Sequence, residues 1–245
     1  MNYTIATNWN GLNDWQLAKV ASLLFGGYSD KRIKHGLVYI LFTGKKSLWK
    51  YFKIRYLIAR VPFNELYRYT EFLNTSIGRT DFPKYLKLGF IKLYGPSSRM
   101  SNLTIDQFSI ADVFYYRWCR TRDSKELNRL VSILYSPKGQ EFSREDLGHS
   151  IYVKLMPKDK KLAVVLAYMG SRKLLTDSFT YVFKNSKESG GSSYNSFDKI
   201  VFNMARSDNQ PFGHLYTTKE ANVYDFMNIL NDELADQQEF KRNNG

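Results

Sequence analysis

Cysteine and histidine carry most nucleophilic and metal chemistry, and this chain of 245 residues holds one cysteine and three histidines. Cys119 stands between Trp118 and Arg120, with His35, His149 and His214 all distant from it along the chain. A thiol becomes a nucleophile when a neighbouring base or cation stabilises its thiolate. No base lies near Cys119 in sequence, and a lone thiol on a helix reads as a small apolar residue. A single cysteine excludes an internal disulfide and, with scattered histidines, the cysteine-based zinc patterns. Asp232, Glu233 and Asp236 lie close together, but without the oxygen-rich loop and turning glycine of a calcium site they read as a solvated helix face. Glu145 and Asp146 are adjacent carboxylates with nothing in the sequence to mark an acid–base pair. Gly26-Gly27 and Gly190-Gly191 are too short to cradle phosphates, and neither phosphate-binding glycine motif occurs. The expectation is a non-enzymatic chain with no cofactor and no resident metal.

One electrostatic signal remains. Residues 1–100 hold 16 Lys+Arg against 5 Asp+Glu, whereas residues 101–245 hold 20 against 18. Within 31–60 stand Lys31, Arg32, Lys34, Lys45, Lys46, Lys50, Lys53, Arg55 and Arg60, with no acidic residue among them. Residues 220–239 are the reverse, with Glu220, Asp225, Asp232, Glu233, Asp236 and Glu239 and no basic residue. The nine cations are candidate contacts to an anion or to nucleic acid, because cations neutralise phosphates. Tyr39, Phe42, Trp49, Tyr51, Phe52 and Tyr56 are interleaved with them. Exposed rings would stack on bases, but these mostly fit helical apolar stripes, so the sequence favours them as core. The opposite charges of front and tail also suit self-association, the front of one copy meeting the tail of another.

The elements that must position these residues are mainly helical. Asn13 can cap a helix that carries Leu17, Val20, Ala21 and Leu24 and closes at Gly26-Gly27. Ser29 can open a second, with Ile33, Leu37, Ile40 and Leu41 on one face, stopping before Gly44. A third spans about Lys46 to Arg60, and Pro62 can begin a fourth through about Leu73, since a first-turn residue needs no N–H. Residues 84–94 alternate as a short strand, ended by Gly95-Pro96. Thr104 with Gln107 and Asp123 with Glu126 have capping-box spacing. The two helices they open are joined by a few residues and should form an antiparallel hairpin. Further helices are expected from Ser143, Pro157 and Ser196, and a last one from Thr218 to Phe240 with Tyr224, Met227, Leu230 and Leu234 as its stripe. Residues 185–195 read as a polar surface loop. The fold class is thus mainly α, a multi-helix globular fold of about nine helices with at most a short strand or hairpin near 84–94. The expected division is a basic helical subdomain over 1–80 and a helical domain over 81–245.

Apolar residues at 43% and aromatics at 16% suit a folded core rather than disorder. The longest apolar stretches, 36–42 and 162–169, fall well short of the ~20 residues that span a bilayer. No basic segment precedes an apolar run at the front, so the expected location is the cytoplasm, with no membrane insertion.

The phrases LYGP (93–96), NLTIDQF (102–108), LNRLVSILYSP (127–137), KLAVVLAYMGSR (161–172), FTYVF (179–183) and FNMA (202–205) resemble a family of uncharacterised proteins of tailed phages and prophages of Bacteroidetes-type bacteria. The opening LNDWQLAKVASLLF (12–25) is similar to that family's first helix. Ser136 and Ser171 depart from it, standing where an arginine and a cysteine are common. The resemblance implies a virion or tail-assembly role, as connector or chaperone, in the host cytoplasm or the particle. The implied partners are other phage structural proteins and copies of itself, with DNA as a further contact of 31–60. If that block is an anion contact, reversing Lys45, Lys46, Lys50 and Lys53 to Glu abolishes salt-sensitive binding to an immobilised polyanion. Unchanged retention on such a column would remove the block from consideration.

Overall fold

A computed structural model describes residues 5–44, 48–140, 142–144, 151–183, 197–207 and 210–244. The architecture is mainly α, with a single two-stranded antiparallel hairpin among the described residues. The chain packs as two compact units, Met1–Pro83 with Leu155–Ser171, and Lys84–Lys154 with Arg172–Gly245. The expected loop at 185–195 lies outside the described residues.

In the first unit α1 (Asp14–Leu24) starts as its cap residue predicts, and the cap is reciprocal. Asn13 accepts the Gln16 N–H at 3.0 Å, and the Gln16 side chain accepts the Asn13 N–H at 3.1 Å. Both side chains also donate to the end of α2 (Asp30–Thr43), Gln16 to the Leu41 carbonyl at 3.1 Å and Asn13 to that of Gly44 at 2.6 Å. Carbonyls left open at a helix end need such donors. One cap therefore serves two helices. Leu17, Val20 and Ala21 are buried, and so are Leu37 and Leu41 of α2, joined by Val38 and Phe42. Gly44, at φ 66°, adopts the left-handed turn that ends α2.

Helix α3 (Leu48–Arg60) buries Ile54, and α4 (Phe63–Arg68) follows Pro62. The fourth helix is shorter than the sequence suggests. The Tyr67 carbonyl is taken at i+3 by both the Thr70 N–H (2.8 Å) and the Thr70 hydroxyl (2.7 Å). That tight closure ends the α-ladder, and only a 3-10 turn, Glu71–Leu73, continues toward Leu73.

Helix α8 (Lys158–Ser178; α7 is Ile151–Leu155) follows Pro157 as expected, and its part up to Ser171 packs in the first unit. Every residue from Leu162 to Tyr168 is buried, so this stretch is apolar all round rather than amphipathic. Lys19 of α1 pairs with Asp159 in its first turn at 2.8 Å. Near its end Ser171 donates to the Thr80 carbonyl at 3.2 Å. A Cβ on Gly170 would lie 2.0 Å from the Arg79 carbonyl oxygen. The Arg79 guanidinium, itself buried, donates to the carbonyls of Trp9, Asn10 and Leu12 at 2.9–3.0 Å and to that of Asp81 at 2.5 Å.

In the second unit β1 (Tyr85–Leu88) pairs with β2 (Ile91–Tyr94), turning at Gly89 and Phe90. Leu86 and Leu93 face each other on the buried side, and Lys87 faces Lys92 on the other. Helices α5 (Ile105–Thr121) and α6 (Ser124–Leu134) pack on each other as the expected hairpin, closed by Arg122 in the left-handed region at φ 55°. The first cap differs from the expected box in one half and the second in both. Thr104 accepts the Gln107 N–H at 3.2 Å, but Gln107 donates at 2.7 Å to the Ile133 carbonyl in the last turn of α6. Asp123 accepts from Lys125 at 2.8 Å, and Glu126 pairs with Arg129 at 3.0 Å instead of reaching back.

Toward the C-terminus α9 (Asp198–Ala205) opens near the expected Ser196, while the single helix expected over 218–240 is divided. Thr218 belongs to α10 (Leu215–Glu220), and α11 runs Val223–Asn244. The break has a cause. Ala221 accepts the Ile105 N–H at 2.9 Å, the Val223 N–H donates to Leu103 at 3.0 Å, and the Asn222 side chain donates to the Ser101 carbonyl at 2.8 Å. These residues are held extended against the start of α5. Met227 and Leu230 of α11 are buried as its stripe requires, with Val223 and Phe226 beside them, and Tyr224 and Leu234 half-buried.

Gly170→Ala should lower stability by ~2 kcal/mol or more, because the intruding methyl meets backbone rather than a flexible side chain. The check is the urea midpoint by circular dichroism, and a midpoint equal to wild type would contradict the close approach.

Candidate functional site

The candidate surface is the first-unit face where α2, α3 and α4 carry the basic block. Lys31, Arg32 and Lys34 are exposed on α2, and Arg55 and Arg60 are exposed on α3. Lys45 and Lys46 lie outside the described residues, as do the side chains of Lys50 and Lys53. Among the described residues, Lys31, Arg32, Lys34 and Arg60 form no ion pair, although Asp30 lies on α2 and Glu65 on the adjoining α4. Three of the four instead sit over rings. Arg32 lies 4.1 Å from the Tyr28 ring centre, Lys34 5.3 Å from that of Tyr67, and Arg60 4.3 Å from that of Tyr56. A ring attracts a cation by its quadrupole without cancelling the charge.

The rings themselves divide. Phe42 is buried and Tyr39 half-buried, as apolar stripes predict. Phe52 and Tyr56 are 63% and 57% exposed, which overturns the expectation that they form core. With Arg55, Ala59 and Arg60 they occupy positions i, i+3, i+4, i+7 and i+8, the outer face of α3, opposite the buried Ile54. The spacing shows that these residues share a face of the helix, and only packing decides whether that face is buried. His35 stacks on Phe63 at 4.2 Å, and Phe63 on Tyr67 at 6.0 Å, so α4 is laid on the first half of α2. Arg60 is three residues from Phe63, a span of about 10 Å at most. The Tyr56–Arg60 end of α3 therefore lies at the same end of the face as Arg32 and Lys34.

Of the residues considered for chemistry, His35 belongs to this surface, where it stacks on Phe63. Cys119, on α5, is half-buried, with its thiol hydrogen-bonded to Tyr115. Burial is the main influence raising the Cys119 thiol, opposed by that hydrogen bond and by Arg122. Burial is also the first cause raising the Tyr115 phenol. Beside them Arg172 holds the fully buried Asp112 through two hydrogen bonds, 2.5 and 3.2 Å long. The guanidinium also lies 5.9 Å from the ring centres of Tyr115 and Phe183. This pair was not foreseen, because 60 residues separate its members and neither stands in a motif. His214 precedes α10 and His149 lies outside the described residues. Asp232 and Asp236 are exposed on α11 and Glu233 is half-exposed. Glu145 and Asp146 lie outside the described residues. Among the described residues no group of three His, Cys, Asp or Glu side chains is placed to hold a metal ion.

No helix among the described residues is long and apolar enough to cross a membrane. Comparison with protein-family models, with curated proteins and with solved structures finds no match to this chain.

Because the folded state holds the Cys119 thiol and the Tyr115 phenol protonated beyond their ordinary ranges, the unfolded chain loses these protons first. The contribution of these two groups to stability should thus be constant below the ordinary thiol range and fall as pH rises past the ordinary thiol and phenol ranges. Alkylation of Cys119 by iodoacetamide at pH 8.5 should also run several-fold slower in the native chain than in urea. Equal rates would contradict the burial.

Proposed function

We propose that this chain is a non-enzymatic phage structural or tail-assembly protein, a connector or assembly chaperone, that works by docking other structural proteins and copies of itself. The observation that carries the reading is the β1–β2 hairpin of the second unit. Its turn presents Phe90 with the ring wholly exposed, 103% relative to a free residue, while Leu86 and Leu93 hold the strands against the core. Tyr85 is also exposed, with Lys92 over its ring at 5.4 Å. Lys87 and Lys92 face each other across the ladder, which places two cations beside the turn that carries Phe90. Exposed rings at a hairpin tip can anchor a partner, because a few residues, aromatics prominent among them, carry most of the binding energy of an interface. A partner with an apolar pocket and acidic rim fits it. The resemblance to phage proteins supplies the setting, host cytoplasm or virion, and the acidic residues of α11 give a second copy of the chain the complementary charge.

Pull-down of the tagged chain from nuclease-treated, phage-producing cells should retain identified virion proteins. Sedimentation of the purified chain should show self-association. Phe90→Ala combined with Lys92→Glu should reduce both at least tenfold with an unchanged circular dichroism spectrum. A strictly monomeric chain that retains no structural protein would refute the reading.

A further inference from the structure

The first unit carries a surface of different chemistry, and the inference drawn from it goes beyond the docking role assigned to the hairpin. We infer that the outer face of α3, with the adjoining first half of α2, binds unpaired nucleic acid, its cations taking phosphates and its rings taking bases.

Three observations bear on this together. The outer stripe of α3 alternates rings and cations, Phe52, Arg55, Tyr56 and Arg60, along two turns. Successive nucleotides present the same alternation of flat base and charged phosphate, and stacking on an aromatic ring is tolerant of base identity. Three cations of this face are held by rings: Arg32 by Tyr28, Lys34 by Tyr67 and Arg60 by Tyr56. An arginine already engaged with a carboxylate would have to give up that partner to meet phosphate, whereas one lying on a ring keeps its charge and its in-plane donors available. The stack of Phe63 on His35 brings the end of α3 toward the start of α2, so that the Arg60–Tyr56 pair stands at the same end as the pairs of Arg32 and Lys34.

The same observations discriminate among polyanions. A duplex offers phosphates but no unstacked base, so it leaves Phe52 and Tyr56 in water. An acidic protein segment likewise uses the cations alone. A lipid surface requires an apolar stripe that sinks free of charge, with cations at its flanks. On α3 Arg55 and Arg60 stand within the stripe, one turn from each ring. Neither stacking nor phosphate contact reads the 2′-hydroxyl, so single-stranded DNA and RNA should bind alike.

The test is fluorescence anisotropy of the full chain with a labelled 20-nucleotide oligo-dT, the matching RNA, a 20-base-pair duplex and a poly-glutamate peptide, together with co-sedimentation on anionic vesicles. The expected result is that both single strands bind alike, and at least tenfold more tightly than the duplex or the peptide. Affinity should fall steeply as salt rises from 50 to 200 mM, because each phosphate contact releases counterion. The double variant Phe52→Ser, Tyr56→Ser keeps every charge and opens no cavity, since both rings are exposed. It should lose about tenfold in affinity for single strands and leave duplex binding unchanged. Arg32→Gln with Arg60→Gln should weaken every polyanion and reduce the salt slope. Should the double variant prove misfolded, Phe52→Ser and Tyr56→Ser are read singly. Equal affinity for duplex and single strand, tighter binding to vesicles or peptide, or single-strand binding indifferent to loss of the rings overturns the inference. None of these outcomes bears on the hairpin, whose variant leaves this face intact.

Discussion

The first unit depends on a helix that has no solvent side. From Leu162 to Tyr168 α8 is buried at every position, so nothing about its own surface fixes its rotation or its depth. Those are set at its ends. Asp159 is held by Lys19 of α1. At the other end Gly170 lets the helix approach the backbone of Arg79 closer than any side chain would permit, and Ser171 donates to the next carbonyl. That approach is possible only because residue 79 is itself immobile. Its buried guanidinium must find acceptors or lose far more than it gains, and it finds them in the carbonyls of Trp9, Asn10 and Leu12. The approach to α1, the segment around Arg79 and the end of α8 are therefore one set of contacts, and a change at any of them is felt at the other two.

The second unit solves a related problem with backbone. Its longest sequence separations are closed where residues 221–222 lie beside residues 101–105, just as each segment enters a helix. Asn222 links Ser101 and also accepts the Tyr224 N–H at 2.9 Å, while the Tyr224 hydroxyl donates to the Arg99 carbonyl at 2.8 Å. Two helix starts are thus satisfied by each other, where isolated helices would leave N–H groups to water. The Tyr94–Ser136 bridge does the same for the end of β2 and the chain leaving α6. Here Gly95 is required by space, since a Cβ would lie 2.4 Å from the Tyr135 ring.

What was legible in the sequence follows from this division. Signals that act over three or four residues were readable. Asn13 begins α1, Gly44 ends α2, Pro157 precedes α8, and the alternation at 84–94 is a hairpin strand pair. Signals that require a partner far along the chain were not. The spacing of Thr104 and Gln107 describes a closed local box, but the open Ile133 carbonyl competes for the Gln107 amide and wins. A continuous helix from Thr218 satisfies periodicity, yet the unpaired backbone around residue 103 draws residues 221 and 222 out of it. The Asp112–Arg172 pair, with one member fully buried, has no local mark at all. Of the candidate surface, the sequence showed the cations and misjudged two of the rings.

That misjudgement has a physical root that bears on how the surface keeps its field. Periodicity reports that a residue shares a face with others and says nothing of which face the rest of the molecule covers. On α3 the covered face contains Ile54, and the aromatic stripe faces outward. An exposed ring is usually shielded by packing, but here the shield at Tyr56 is the Arg60 guanidinium, and at Tyr28 that of Arg32. Arginine over tyrosine covers apolar area while leaving its charge uncancelled, whereas arginine against glutamate would have erased it. In the second unit Arg129, Arg144, Arg172 and Lys173 are engaged by carboxylates, while Arg117, Arg122 and Arg206 lie over rings as well. Three cations of the first part of the chain, Arg32, Lys34 and Arg60, thus contribute an uncancelled surface potential because they are held by rings. A potential kept in that way acts beyond contact distance and draws anions toward the same rings that hold it.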